Sequence, residues 1–128
     1  MIIADTDVLI DYLEGRDPGA EAVSLALERD QLYTTVISYF ELLSGARQPH
    51  ERDTILVLLE SISVLSLDLS AARRAADIRR QLEGTGRGIG MADSLIAGIA
   101  LDSEAKLLTR NRRYFDRVSG LLLVAPGV

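Results

Sequence analysis

The sequence has no cysteine, a single histidine, His50, and a single lysine, Lys106. The absence of cysteine excludes disulfides, thiolate zinc sites, iron–sulfur clusters and cysteine nucleophiles. One histidine cannot build a multi-histidine metal centre within the chain, and any Ser–His–Asp site would have to use it.

Long apolar segments are also missing. The longest clean apolar runs have about eight residues, whereas a helix that spans a bilayer needs ~20. Asp5 follows the apolar start Met1–Ala4 at once, without the basic region of a signal peptide. With 128 residues, 48% of them hydrophobic and 26% charged, we expect one domain over residues 1–128 with a real core. We therefore expect a soluble, cytoplasmic protein.

The charge is mildly acidic, with 19 acidic against 14 basic residues and a net charge of −5. This total does not indicate a general nucleic-acid-binding surface. However, Arg110, Arg112, Arg113 and Arg117 fall close together. Arginine suits bidentate contacts with phosphate, although a solvated helical face is the plainer interpretation of the cluster taken alone.

Predicted strands and helices alternate along the chain, which is typical of an α/β fold with a largely parallel sheet. The five predicted strands are Ile2–Ala4, Leu32–Thr35, Ser63–Leu67, Lys106–Thr109 and Leu121–Val124. The predicted helices are Val8–Leu13, Ala20–Leu27, Val36–Ala46, Pro49–Glu60, a helix from the N-cap Ser70 to Leu82, and Met91–Leu101. In such sheets ligands bind beyond the carboxyl ends of the strands.

Four acids and one amide come from segments that could meet at that edge: Asp5, Asp7, Glu41, Asp93 and Asn111. Clustered carboxylates repel one another, and a cation relieves the repulsion. Oxygen ligands of this kind suit Mg²⁺ or Mn²⁺. Enzymes that act on phosphate esters use such a metal-binding pocket to activate water.

Each of these residues also has a structural interpretation. The run Asp5–Asp7 could cap the following helix. Ser38 and Glu41 match a capping box. Asp93 could compensate the helix dipole, and Asn111 could be a cap or turn residue. Four independent caps need not share one sheet edge, so the joint pattern favours a site.

Together, four ordered segments resemble the PIN-domain ribonucleases, and within them the VapC-type toxins of toxin–antitoxin pairs. The segments are Ile2–Leu13 (IIADTDVLIDYL), Ser38–Gly45 (SYFELLSG), Met91–Ala97 (MADSLIA) and Leu107–Phe115 (LLTRNRRYF). Their order and spacing agree with the family over essentially the whole chain. The resemblance implies a three-layer α/β/α PIN-like domain with a central, mostly parallel five-stranded sheet.

The resemblance also implies roles for individual residues. Asp5, Glu41 and Asp93 are expected to be catalytic acids that bind Mg²⁺, for which Mn²⁺ could substitute. Thr6 and Thr109 are expected to support them with their hydroxyls.

Asn111 is expected to be a fourth catalytic residue, at a position where the family often has Asp. Its amide oxygen can bind a metal but brings no charge, which argues against a tightly held second Mg²⁺. Asp7 occupies a position that varies among similar proteins, and Asp116 lies near the motif without occupying its position.

Similar toxins form homodimers and are silenced by a cognate antitoxin that lies across the active site. The expected substrate is RNA, hydrolysed by metal-activated water and guided into the acidic pocket by Arg110, Arg112 and Arg113. The apolar side chains around Ile55–Leu59 are expected to be exposed at the surface, where a partner could cover them.

A haloacid-dehalogenase-like phosphatase is the first alternative. In that family Asp5 would be the nucleophile and Asp7 the acid/base, with Thr109 in the hydroxyl motif. Such enzymes also need a lysine further along the chain, and none follows Thr109.

A receiver-type signalling module is the second alternative, with Asp68 as the residue that is phosphorylated. That module needs a lysine at the carboxyl end of its last strand, and Lys106 stands at the start of a strand instead.

Overall fold

Five short parallel strands form the central sheet of the computed structural model, which describes residues 1–127. The strands are β1 (Ile2–Ala4), β2 (Leu32–Thr35), β3 (Ser63–Leu65), β4 (Lys106–Leu108) and β5 (Leu123–Val124). Their order across the sheet is β3-β2-β1-β4-β5. All four neighbouring pairs are parallel, which confirms the predicted fold.

Helices cover both faces of this sheet. They are α1 (Thr6–Glu14), α2 (Gly19–Glu28), α3 (Val36–Gly45), α4 (Pro49–Glu60), α5 (Leu69–Gly84), α6 (Met91–Asp102) and α7 (Arg112–Phe115). None of the helices described over residues 1–127 has both the length and the apolar character required to cross a membrane.

The two faces of the sheet hold two separate hydrophobic cores, because successive strand residues point to opposite sides. Ile3 and Leu107 pack into the core formed with α5 and α6. The residues that follow them, Ala4 and Leu108, pack into the core formed with α1 to α4. This division produces the predicted three α/β/α layers and leaves the carboxyl ends of β1 and β4 side by side.

Two helix caps differ from the predictions. α5 is capped by Asp68, whose carboxylate accepts a hydrogen bond from Ala71 N at 2.9 Å. The predicted cap, Ser70, instead donates its hydroxyl to Asp102 Oδ1 at 2.7 Å. α3 is capped by Thr35 rather than by Ser38. In both cases a side chain outside the predicted helix reaches the free N–H groups first.

The strand ends also differ slightly from the predictions. Both edge strands are shorter, since β3 ends at Leu65 rather than Leu67 and β5 begins at Leu123 rather than Leu121. An edge strand has one neighbour only, so fewer ladder hydrogen bonds hold its ends. The four-residue helix α7 was not predicted, because one turn is too short to show a helical period.

The apolar stretch of α4 is not the exposed surface that the sequence suggested. Ile55, Leu58 and Leu59 are buried in the core that they share with residues of α1 and α3, whereas Val57 is 67% exposed. The prediction was wrong because the stretch has helical spacing, which turns most of its side chains inward.

The contact between α5 and α6 depends on Gly98. A Cβ at this position would lie 2.7 Å from Ala71 O and 2.8 Å from the Ala75 Cβ. We expect Gly98→Ala to lower the free energy of unfolding by ~1–3 kcal/mol, because backbone and a short side chain cannot move aside. Chemical denaturation measures this loss. The matched control is Gly84→Ala at the end of α5, where a Cβ meets nothing; an equal loss there would contradict the explanation.

Candidate active site

An open cleft of about 460 Å³ lies at the carboxyl ends of β1 and β4. Its lining residues come from α1, α3, α6 and the segment after β4, and they are Asp5, Thr6, Asp7, Ile10, Glu41, Asp93, Arg110 and Asn111. The structure therefore brings together all four predicted acids and the predicted amide. Residues more than one hundred positions apart in the sequence meet here because parallel strands end at the same edge.

Asp5 is the most enclosed of these acids, with 6% of its surface exposed. Its Oδ1 accepts a hydrogen bond from Thr6 N at 2.8 Å, which caps α1. Its Oδ2 accepts from the Thr109 hydroxyl at 2.7 Å. Burial, together with the negative charges of Asp7 and Asp93, raises the pKa of Asp5 to about 7 despite these hydrogen bonds. Asp5 is thus both the cap of α1 and a carboxylate whose negative charge is disfavoured in the cleft.

Glu41 is held in the cleft by Thr6. The Thr6 hydroxyl donates to Glu41 Oε1 at 2.7 Å, and Thr6 Oγ1 also hydrogen-bonds Ser38 Oγ at 2.9 Å. Thr35 Oγ1 accepts from Ser38 N at 3.2 Å and serves as the cap of α3. The capping box that Ser38 and Glu41 match in the sequence is therefore not formed, and Glu41 lines the cleft instead.

Asp7 has one carboxylate oxygen that is satisfied and one that is not. Oδ2 accepts a hydrogen bond from Arg110 N at 3.1 Å and lies 3.4 Å from the Thr109 hydroxyl. Oδ1 is buried and has no hydrogen-bond partner among the described residues. Burial raises the pKa of Asp7 above its ordinary value. A buried oxygen without a hydrogen-bond partner is destabilising, so binding of a cation or of a further hydrogen-bond donor to Asp7 Oδ1 would be favourable.

Asp93 lies in the first turn of α6 and contacts Asn111, which the sequence predicted as the fourth catalytic residue. Asn111 Nδ2 donates to Asp93 Oδ2 at 3.3 Å. Burial is the main cause that raises the pKa of Asp93, and the charges of Glu41 and Asp7 add to it. Asn111 thus supplies a neutral donor to the acidic cluster.

The predicted substrate-binding arginines have different surroundings. Arg110 Nε forms an ion pair with Asp11 Oδ2 at 2.8 Å. Arg112 Nε lies 3.6 Å from Asp116 Oδ2 on the surface. Arg113 has no ion-pair partner in the described residues, and its guanidinium lies over the neighbouring tyrosine ring. Arg113 is therefore the most available of the three for a phosphate.

Asp11 was missed at the level of the sequence. It is 5% exposed and lies one turn after Asp7 on α1. The only signal for it in the sequence was this spacing of four residues, which places both side chains on the same side of the helix.

The donor set fits a hard divalent cation, although no cage is preformed. Carboxylate and amide oxygens are the ligands that Mg²⁺ and Mn²⁺ prefer. The raised pKa values of Asp5 and Asp93 and the unpaired oxygen of Asp7 show that negative charge is uncompensated here. Within residues 1–127, no three acidic or histidine side chains lie close enough together to form a ready-made metal site. The side chains of this cleft would have to draw together around an ion.

Comparison with known proteins assigns the chain to a family. The PIN domain profile matches residues 2–121. This chain belongs to the PIN-domain family. Its resemblance to the VapC group is confirmed by curated relatives that align along nearly their whole length, as expected from the four motif segments.

Three proteins illustrate this similarity. The tRNA(fMet)-specific endonuclease VapC of Shigella flexneri is 30% identical over 121 residues, which is 91% of each chain. Ribonuclease VapC10 of Mycobacterium tuberculosis is 34% identical over 90% of this chain and 86% of its own. Among solved structures, VapBC-1 from nontypeable Haemophilus influenzae superposes with a TM-score of 0.84 at 30% identity and covers 98% of both chains.

The geometry of the PIN domain also bears on the two alternatives. Asp68, which a receiver module would phosphorylate, caps α5 through its hydrogen bond with Ala71 N. Lys106, the only lysine of the chain, begins β4, whereas the cleft lies beyond the carboxyl end of that strand. Neither alternative therefore has its lysine at the cleft.

Proposed function

We propose that this PIN-domain protein is a Mg²⁺-dependent endoribonuclease that acts in the cytoplasm as the toxin of a toxin–antitoxin pair. The observation that carries the proposal is the convergence of Asp5, Glu41 and Asp93 from three separate elements on one open cleft. The names of the relatives support the substrate class, since the Shigella and Mycobacterium proteins are named as an endonuclease and a ribonuclease.

Asp5, Glu41 and Asp93 would hold the metal, directly or through water. When bound, Mg²⁺ supplies an activated water nucleophile and a counter-charge for the phosphate oxygens. Thr6 fixes Glu41 through its 2.7 Å hydrogen bond, and Thr109 fixes Asp5 in the same way. Asn111 donates to Asp93 without adding a negative charge, so these supporting residues hold the acids that a bound cation would neutralise.

RNA approaches a cleft that repels it until a cation is bound, so basic residues beside the cleft matter for the encounter. Arg112 and Arg113 begin α7, directly after the cleft residue Asn111. Both side chains are exposed to solvent. They are the residues that would guide the phosphate backbone toward the acids.

A cognate antitoxin would cover the cleft and the groove next to it. The solved structure of VapBC-5 from Mycobacterium tuberculosis, which is 26% identical with a TM-score of 0.68, is named as a member of the VapBC family of toxin–antitoxin systems. In this chain an apolar groove of about 480 Å³ between α1, α3 and α4 includes Ile10 and Glu41, which also line the cleft. An apolar antitoxin segment in this groove could place a basic side chain on the acids.

We also propose that the free protein is a homodimer, which light scattering would test.

The first experiment is RNA cleavage by the purified protein with Mg²⁺, with Mn²⁺ and with EDTA. We expect cleavage of single-stranded or structured RNA with either metal and loss of ~10²-fold or more of the rate with EDTA, because the acids alone cannot activate water at neutral pH. A panel that includes total tRNA is appropriate, since one relative is named as specific for a tRNA. Gel electrophoresis of end-labelled RNA measures the rate.

Three results would distinguish the candidate functions. Cleavage that persists in EDTA would contradict the metal-dependent mechanism. Hydrolysis of a phosphomonoester with intact RNA would favour the phosphatase. In cells, induced expression should arrest growth, and growth unaffected by the active protein would contradict the role as a toxin.

A further inference from the structure

We propose that the ion pair between Arg110 and Asp11 is a positioning contact. It fixes the segment Thr109–Asn111 against α1 and thereby holds the carboxylates of the cleft in place. The guanidinium of Arg110 therefore acts on the protein itself rather than on the RNA phosphate. The structural part of this proposal stands on geometry alone, whereas its consequence for cleavage rests on the proposed ribonuclease activity.

The segment after β4 contacts a different carboxylate with each of its three residues. The Thr109 hydroxyl donates to Asp5 at 2.7 Å. The backbone N–H of Arg110 donates to Asp7 at 3.1 Å. The side chain of Asn111 reaches Asp93 at 3.3 Å. A small shift of this segment would therefore change the surroundings of three acids at once.

The donors of these three hydrogen bonds are uncharged, so each bond is weaker than one in which both partners are charged. The ion pair between Arg110 Nε and Asp11 Oδ2, at 2.8 Å, links the segment to α1. Among the described residues it is the only salt bridge between this segment and another element. Asp7 and Asp11 lie one turn apart on α1, so the backbone and side chain of Arg110 grip two successive turns of the same helix.

The carboxylate of Asp11 is buried and closely packed by its neighbours. The side chain is 6% exposed, and a buried carboxylate is tolerated only when it is paired. Gly19, the first residue of α2, packs so closely on it that a Cβ at Gly19 would collide with the Asp11 carboxylate. The N-terminal end of α2 also favours a negative charge at this place. Arg110 completes the pairing from the solvent side.

The competing role for Arg110 is direct binding of the RNA backbone. That role suits an arginine whose donors are unused, and Arg113 has no ion-pair partner in the described part of the chain. The Nε of Arg110 is instead paired with the buried carboxylate of Asp11, and this contact fixes the direction of the arginine side chain. The two roles predict different behaviour of Asp11, which is too buried to touch RNA.

Hydrogen exchange of the metal-free protein tests the positioning role without RNA. We expect Asp11→Asn to speed exchange of the Arg110 and Asn111 amides by ~10-fold or more. The Arg110 amide donates to Asp7 Oδ2 and the Asn111 amide to the Thr109 hydroxyl oxygen, and both hydrogen bonds open more often once the segment is free to move. The amides of α6 should keep their protection. The matched control is Asp102→Asn, which removes a carboxylate from the Arg74 pair at the far end of α6 and should leave these two amides unchanged.

Unchanged exchange of Arg110 and Asn111 in Asp11→Asn would overturn the proposal. If Asp11→Asn lowers the protection of α6 as well, the fold as a whole has opened. Arg110→Gln, at a half-exposed side chain, then decides: faster exchange confined to residues 109–111 supports the pair, and unchanged exchange overturns it.

Kinetics of RNA cleavage separates positioning from phosphate binding. We expect Asp11→Asn and Arg110→Gln each to lower kcat by ~10-fold with little change in KM, and the double variant to be no worse than either. A higher KM for Arg110→Gln alone, with Asp11→Asn unaffected, would show a phosphate ligand and overturn the proposal. Absence of cleavage by the unaltered protein would count against the ribonuclease, while the exchange result would still decide the pair.

Discussion

An Asp5→Asn variant should lose RNA cleavage by ~10³-fold or more while it keeps its fold. Asparagine has the same shape as aspartate and can still accept the hydrogen bond from Thr6 N that caps α1. The Thr109 hydroxyl, which lies 3.4 Å from Asp7 Oδ2, can turn to that carboxylate. What disappears is the negative charge that would hold Mg²⁺. Initial rates on a single labelled RNA measure the loss.

Asp93→Asn should behave in the same way, because its charge is the one that α6 contributes to the cleft. The matched control is Asp77→Asn, which removes an exposed carboxylate on α5 outside the cleft. The control should cleave at the rate of the unaltered protein. More than a tenth of the metal-dependent rate in either Asp5→Asn or Asp93→Asn would contradict the assignment, and equal rates in all preparations would indicate a contaminating nuclease.

The location of the acids was predictable because it follows from the topology. Asp5 directly follows β1, and Thr109 and Asn111 follow β4, so a parallel sheet alone places them at one edge. The apolar run before Asp5 and the helical spacing after Met91 were both visible in the sequence. Glu41 needed the resemblance to the family as well, because its spacing from Ser38 fits a capping box equally well.

The hydrogen-bond partners of these acids were not predictable, because they depend on contacts between distant residues. Thr35 rather than Ser38 caps α3, and the Glu41 carboxylate accepts a hydrogen bond from the Thr6 hydroxyl on α1. The pairing of Arg110 with Asp11 joins residues from opposite ends of the chain. From the sequence, Arg110 was one member of a basic cluster. Charge composition shows that an arginine is present, and only the packing shows which carboxylate it meets.

The stability of the metal-free protein should rise when Asp5 loses its charge. Burial and the charges of Asp7 and Asp93 raise the pKa of Asp5 from 3.8 to about 7 in the folded state. Folding therefore favours the protonated form, and the free energy of unfolding falls as the pH rises from about 4 to 7. Above that range we expect Asp5→Asn to be more stable than the unaltered protein by roughly 2–4 kcal/mol. Below pH 4 the difference should vanish, because both states then carry a protonated Asp5.

Urea denaturation in EDTA at pH 4, 6 and 8 measures this difference, and Mg²⁺ supplies the decisive second arm. A cation that binds only the folded protein raises its stability, so Mg²⁺ at pH 8 should stabilise the unaltered protein and leave Asp5→Asn unchanged. Asp77→Asn should respond to pH and to Mg²⁺ as the unaltered protein does. An Asp5→Asn variant that is less stable at pH 8 would show that the carboxylate supports the fold rather than the site. A more stable Asp5→Asn variant at pH 8, together with Mg²⁺ stabilisation of the unaltered protein alone, would show that the charge of Asp5 destabilises the metal-free fold and is retained because it binds the cation.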